Sequence, residues 1–244
     1  AHAADYAVIV CQTAFLKARY PVEYAAALLT VDRDNADKIA LIAADCLRQG
    51  IKLLPPSVDH SGLDFVVEPL DEAARAEKGI TRRRGIRFGL AAVKNVGEGA
   101  AAALIAARDA GGPFASLDDL ARRVDLRAVG RRAVEALIKA GALDAYGSRA
   151  ALLAALDRLI AASATQHQAA EAGQMSLFGD AMPPAAVGIG PLPEATGDRK
   201  AELLWEKELV GLYLTEHPLH GVTERLSATV TAMTGDIGPE LAGQ

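Results

Sequence analysis

Aromatic residues make up only 5% of this chain, with one Trp, and cysteine occurs twice. Cys11 and Cys46 are too far apart in sequence for a zinc knuckle and too few for a disulfide scaffold, so a reduced, cytoplasmic setting is the expectation. No apolar run reaches the roughly 18 residues that would span a bilayer, so no membrane partner is expected. A P-loop, a Gly-x-Ser-x-Gly elbow and a Ser-His-Asp set are all missing. His217 and His220 lack a third ligand, and Pro218 disfavours a helix between them. Runs of β-branched residues are scarce, whereas Ala is about a fifth of the 244 residues and the chain is 51% apolar. That composition predicts a mainly helical protein with real cores. The chain starts with Ala rather than Met and has no signal peptide, so it reads as a piece of something longer.

The formal net charge of -5 conceals a segregation. Residues 75–150 hold 15 Lys/Arg against 8 Asp/Glu, while the remainder carries 11 against 23. The cations of the basic third are mostly Arg, among them Arg82, Arg83, Arg84, Arg87, Arg122, Arg123, Arg127, Arg131 and Arg132. Arginine donates two hydrogen bonds at once to a phosphate, so a basic block in an acidic chain is a candidate polyanion site. The competing explanation is a set of solvated helix faces paired with Asp118, Asp119 and Asp125.

Helical spacing of apolar residues predicts two segments over residues 5–30 that meet at Pro21, then a helix capped by Asp34 or Asn35 that carries Ile39, Ile42, Cys46 and Leu47. Residues 63–67 and 86–90 have strand character, with a charged loop between them. Gly97-Glu98-Gly99 precedes a helix that Gly111-Gly112-Pro113 ends. Ser116 and Asp119 form a capping box, Gly130 opens a further helix, and Ser148 caps a longer one. From Ala161 to Arg199 the apolar periodicity stops and a flexible linker is expected. Helical signal returns at 203–214.

Residues 89–109 and 117–140 share one layout: short helix, Gly-bearing turn, longer helix. Two such hairpins side by side match the helix-hairpin-helix module, which grips DNA backbone through exposed N–H groups at a helix start without reading sequence. The residues placed for phosphate contact are Lys94, Asn95, Gly97, Gly99, Arg127, Gly130, Arg131 and Arg132. In the linker, Gln174-Met175-Ser176-Leu177-Phe178 exposes an apolar pair beside a Gln, the form of a short linear motif that docks on the bacterial sliding clamp. Asp32-Arg33-Asp34 looks like the carboxylate pair of a two-metal site but lies at a helix junction, where capping residues are expected. No metal site is assigned.

Several blocks then stand out together. Cys11-Gln-Thr-Ala-Phe-Leu-Lys-Ala-Arg-Tyr-Pro-Val-Glu-Tyr-Ala-Ala-Ala-Leu-Leu, Gly50-Ile-Lys-Leu-Leu-Pro-Pro-Ser-Val and Ile86-Arg-Phe-Gly-Leu-Ala-Ala-Val-Lys-Asn-Val-Gly-Glu-Gly are three of them. Glu135-Ala-Leu-Ile-Lys-Ala-Gly-Ala-Leu-Asp, Gln174-Met-Ser-Leu-Phe-Gly and Trp205-Glu-Lys-Glu-Leu-Val-Gly-Leu-Tyr-Leu-Thr-Glu-His-Pro-Leu complete the set. In this order they closely resemble the α subunits of bacterial DNA polymerase III, the replicative C-family polymerases.

The resemblance implies a map. Residues 1–75 correspond to the end of a fingers domain, 80–163 to the tandem helix-hairpin-helix region, 164–199 to a linker with the clamp motif, and 200–244 to a helix leading into a truncated oligonucleotide-binding β fold. It implies a DNA-directed DNA polymerase whose catalytic carboxylates and Mg2+ lie upstream, so that this piece has no catalytic residue or cofactor of its own and is inactive alone. Duplex DNA, the sliding clamp and other replicase subunits are the implied partners. His2 falls where the family places a Ser-His-Ala segment near the incoming nucleotide, although the preceding Asn-Lys-Ser has no counterpart. Gly130 stands where the family often has Asn, which removes a side-chain donor. A non-catalytic helix-hairpin-helix adaptor of repair or recombination, an error-prone accessory paralogue and a purely structural helical protein are the alternatives.

Overall fold

Pro21 lies where two helices meet, as its sequence position predicts. The computed structural model describes residues 2–77, 79–171, 188–216 and 218–219. Its first elements are α1 (His2–Arg19) and α2 (Pro21–Val31). A proline at the first helical position removes no intrahelical hydrogen bond, and its fixed φ suits a helix start. Helix α3 (Ala36–Arg48) is capped by Asn35, whose side chain accepts from Lys38 N at 3.1 Å. It buries Ile39 and Cys46, and that burial pushes the Cys46 thiol pKa up to about 11, so the thiol is inert.

A small sheet follows, with strands β1 (Leu53–Leu54), β2 (Val66–Pro69) and β3 (Arg84–Arg87) in the order β1-β3-β2. β1 runs parallel to β3, and β2 pairs with it antiparallel. The strands expected at 63–67 and 86–90 are therefore displaced by two or three residues. The cause is a contact distant in sequence: the carbonyls of Gly62 and Leu63 accept from Leu90 N and Ala91 N at 3.0 and 3.1 Å, so that segment serves the turn after β3 instead of the sheet. The expected loop between β2 and β3 holds a short helix, α4 (Glu72–Ala76), capped by Asp71 Oδ1 on Ala74 N at 2.7 Å.

A 3-10 turn at Leu90–Ala92 leads to α5 (Glu98–Gly111), α6 (Leu117–Arg123), α7 (Leu126–Val129) and α8 (Arg131–Lys139). After a second 3-10 turn at Asp144–Tyr146 come α9 (Arg149–Glu171) and α10 (Arg199–Leu209). The predicted capping box forms on one side only. Ser116 Oγ accepts from Asp119 N at 3.1 Å, but the Asp119 carboxylate returns to Ala115 N, one residue ahead of the cap. Helices α6, α7 and α8 all pack on α9.

Residues 164–171, expected in the linker, instead extend α9. Their Ala- and Gln-rich sequence has no apolar stripe but does have high helix propensity. Ser163 also anchors the helix: its fully buried hydroxyl accepts from Leu126 N at 2.9 Å and donates to Val124 O at 2.7 Å. Further along the expected linker, Ile189 is buried, and its N–H donates to Asp118 Oδ1 at 2.7 Å. The motif at 174–178 and the residues after 220, where a β fold is expected to start, lie outside the described residues. One continuous apolar core runs from Val22 through the sheet and hairpins to Val210. Among the described residues no helix is long and apolar enough to cross a membrane.

Candidate nucleic-acid interface

Two helix starts with a glycine N-cap and no capping side chain border this core. In the first, Lys94 N donates to Leu209 O at 2.9 Å, Asn95 takes a left-handed φ of 71°, and Gly97 then caps α5. Asn is among the few residues with a Cβ that adopt such a φ readily. Lys94, Asn95, Gly97 and Gly99 are all exposed. A Cβ added at Gly97 or Gly99 would meet no atom within 4 Å, so a ligand can reach this backbone directly. The first N–H groups of α5 have no acceptor within the helix, and its dipole is positive at this end.

In the second, Gly130 separates α7 from α8 with φ 90° and ψ 136°, a conformation closed to side chains that carry a Cβ. It too opens on empty space. Helix α5 packs against α7, so the two starts belong to one packed unit.

The predicted cations divide into two groups. Arg127 pairs with Asp125 at 3.2 Å, and Arg131 pairs with both Glu135 and Asp157 at 3.3 and 3.1 Å. The guanidinium of Arg127 holds the Asp125 carboxyl below the usual carboxylate range. Lys94 and Arg132 make no ion pair among the described residues, so their charge is available to a phosphate. Arg123 is structural instead. It donates to the carbonyls of Ala107, Arg108 and Gly112 at the end of α5, pairs with Asp119 at 3.0 Å, and lies 4.5 Å over the Phe114 ring. Charge alone could not separate these groups, because the acids that neutralise Arg131 are 4 and 26 residues away in sequence.

The sequence reading missed Arg33. From the turn between α2 and α3 its guanidinium reaches both Asp64 and Glu98, the first residue of α5, and ties the leading helices to the first hairpin. Beside this tie a concavity of about 470 Å³ opens between Arg33, Lys94, Asn95 and the end of α10 at Lys207 and Leu209. His2 is the first residue of α1, remote in sequence from both hairpins.

Residues 50–152 match the model of the helix-hairpin-helix motif family. Over 236 residues the chain is 42% identical to the DNA polymerase III subunit alpha of Thermus aquaticus, covering 96% of this chain and 18% of that protein. The proteins of the same name from Vibrio cholerae and Haemophilus influenzae are 36% and 38% identical, over 98% and 100% of this chain and 20% of each relative. The chain belongs to the DNA polymerase III α-subunit family. It spans about a fifth of the length of the curated relatives it matches.

Asp32 is engaged by Lys38 Nζ at 2.7 Å, Arg33 turns away to Asp64 and Glu98, and no three His, Cys, Asp or Glu side chains converge among the described residues. What the α-subunit segment does present is a pair of helix starts with open space over their glycines, flanked by Lys94 and Arg132, which make no ion pair among the described residues.

Proposed function

We propose that this segment holds the duplex of a primer and its template through the phosphate backbone, with the N–H groups at the starts of α5 and α8 as donors and Lys94 and Arg132 as counter-charges. The observation that carries the reading is the open space over Gly97, Gly99 and Gly130 at two packed helix starts. Arg127 and Arg131 contribute by exchanging their acids for phosphate when the duplex docks, and Asn95 shapes the first turn. Residues 1–75 act as the end of the fingers and 80–163 as the duplex-holding unit. Residues 164–199 carry the clamp motif, and 200–244 lead into an oligonucleotide-binding fold.

The whole protein, on this reading, is a DNA-directed DNA polymerase of chromosomal replication in the cytoplasm. It transfers nucleotides with Mg2+ held by carboxylates outside this segment, and works with the sliding clamp and other replicase subunits. Gln174, Met175, Leu177 and Phe178 dock on the clamp, and His2 lies toward the incoming nucleotide. The names of the relatives and the order of the shared blocks support this.

The duplex reading is tested by titrating labelled duplexes of different sequence at several salt concentrations. Affinity should fall steeply with salt and be indifferent to sequence, and K94A/R132A should flatten the salt slope by up to about 2, near 0.9 per contact. Salt-insensitive binding, or an unchanged slope in the variant, would refute the reading. For the clamp, removal of Leu177 and Phe178 should cost about 2 kcal/mol or more of binding if they are the anchors. Clamp binding that survives their loss would sink that part, whereas DNA binding with no clamp affinity at all would favour a helix-hairpin-helix adaptor.

A further inference from the structure

The Arg82-Arg83-Arg84 run contains two kinds of arginine. Arg84 pairs with Glu23, and Arg87 on the same strand pairs with Glu68. Arg82 and Arg83 have no ion pair among the described residues, nor does Arg75 of α4. All three are exposed, and together they line a concavity of about 380 Å³ whose one carboxylate is Glu72. Three guanidiniums against one acid leave an excess positive charge in a hollow. The backbone around them is fixed: Thr81 N and Arg82 N both donate to Gly50 O, at 3.1 and 3.2 Å, and Leu70 N donates to Arg83 O at 2.9 Å. The structural arginines next door were each given an acid. Arg75, Arg82 and Arg83 have none among the described residues, Arg82 Nε donating only to the Gln49 carbonyl at 3.4 Å, so that mutual repulsion disfavours the empty hollow and an anion relieves it.

We propose that Arg75, Arg82 and Arg83 form a second seat for nucleic-acid phosphate, separate from the two hairpin starts. Guanidinium forks match phosphodiester oxygens in bidentate geometry, and three of them span more than a single small anion needs. Arg83 and Lys94 are eleven residues apart, so the chain cannot place them more than about 40 Å from each other. One helical turn of duplex is about 34 Å long, so a duplex of about two turns has the length to occupy both seats. The proposal rests on the duplex-holding reading above.

The test uses the 244-residue chain and a labelled duplex of about 20 base pairs, titrated between about 50 and 200 mM salt. R75A/R82A/R83A should lower the salt slope by about 2 to 3, at near 0.9 per lost phosphate contact, while R75K/R82K/R83K retains most of it. Far-UV circular dichroism checks the fold, and R75Q/R82Q/R83Q replaces the alanine variant if that one does not fold. An unchanged slope in a folded neutral variant overturns the seat. If K94A/R132A weakens binding and the neutral variant does not, the seat falls and the hairpin reading stands. If only the neutral variant has an effect, the seat stands and the hairpins fall. Inorganic phosphate that shifts the arginine side-chain NMR signals with no change in the duplex slope would mark a small-anion site and overturn the proposal.

Discussion

Arg149 Nη2 donates to Glu206 Oε1 across 3.0 Å, with side-chain exposures of 3% and 1%. Asp144 takes another face of the same guanidinium, and Glu206 also accepts from Leu214 N, Thr215 N and Thr215 Oγ1. Every polar atom of the pair is therefore satisfied, and α10 with the turn after it is fastened to the start of α9. Removing either partner strands a buried charge. R149A and E206A should each cost about 3–5 kcal/mol in chemical denaturation, with strong coupling in the double variant. Additive losses would show that the two side chains act independently.

The two glycine classes at the hairpins should separate stability from binding. Gly130→Ala forces a Cβ into φ 90° and should destabilise by roughly 1–3 kcal/mol, although nothing nearby would clash. Gly99→Ala in the first turn of α5 should stabilise by up to about 1 kcal/mol, because alanine is the better helix former. The same methyl stands in the open approach and should weaken duplex binding. Thermal melts and DNA titrations on both variants decide the matter, and a Gly99→Ala protein that binds DNA as before would remove that backbone from the interface.

Ser163→Ala deletes one hydroxyl and leaves Leu126 N without an acceptor and Val124 O without a donor, both in the core. A loss of about 1–3 kcal/mol is expected, larger than for removal of the exposed Thr165 hydroxyl on the same helix. A urea midpoint unchanged from the parent would show that water replaces the hydroxyl.

Acid should unfold the chain gradually. Lys17 holds the Asp45 carboxyl below its usual range, Arg127 does so for Asp125 and Lys139 for Glu135. For Asp119, burial opposes ionisation, but the Ala115 N–H, Arg123 and Arg122 outweigh it and lower the pKa. A depressed folded pKa stabilises the fold fully above the unfolded value, and the contribution disappears as pH falls through the folded value. Stability should thus be flat near neutrality and decline below roughly pH 4.5. Denaturation midpoints that rise on acidification would contradict these pairings.

Most helices were legible in the sequence because their signals are local: Pro21 at a first turn, Asn35 and Ser116 as caps, Gly111 and Gly130 as breaks. The glycine-bearing turns ahead of α5 and α8 were legible for the same reason, although the expected leading helices are a 3-10 turn at Leu90–Ala92 and the two separate helices α6 and α7. The strands were misplaced because the hydrogen bonds that define them come from elsewhere, with Gly62 and Leu63 diverted to the turn at Leu90 and Ala91. Helix α9 outran its apolar stripe because Ser163 is tied to residues almost forty positions earlier.

By itself the amino-acid sequence determined the helical class, the hairpin repeat, the basic third and the family to which the chain belongs. All of these depend on residue type and short spacing. Only the tertiary structure decided which arginines keep their charge available. Arg84, Arg123 and Arg131 find carboxylates or carbonyls on other elements, whereas Arg75, Arg82, Arg83 and Arg132 find no acid among the described residues. Electrostatic pairing depends on distance in space, and a folded chain brings together acids and bases that the linear sequence keeps far apart.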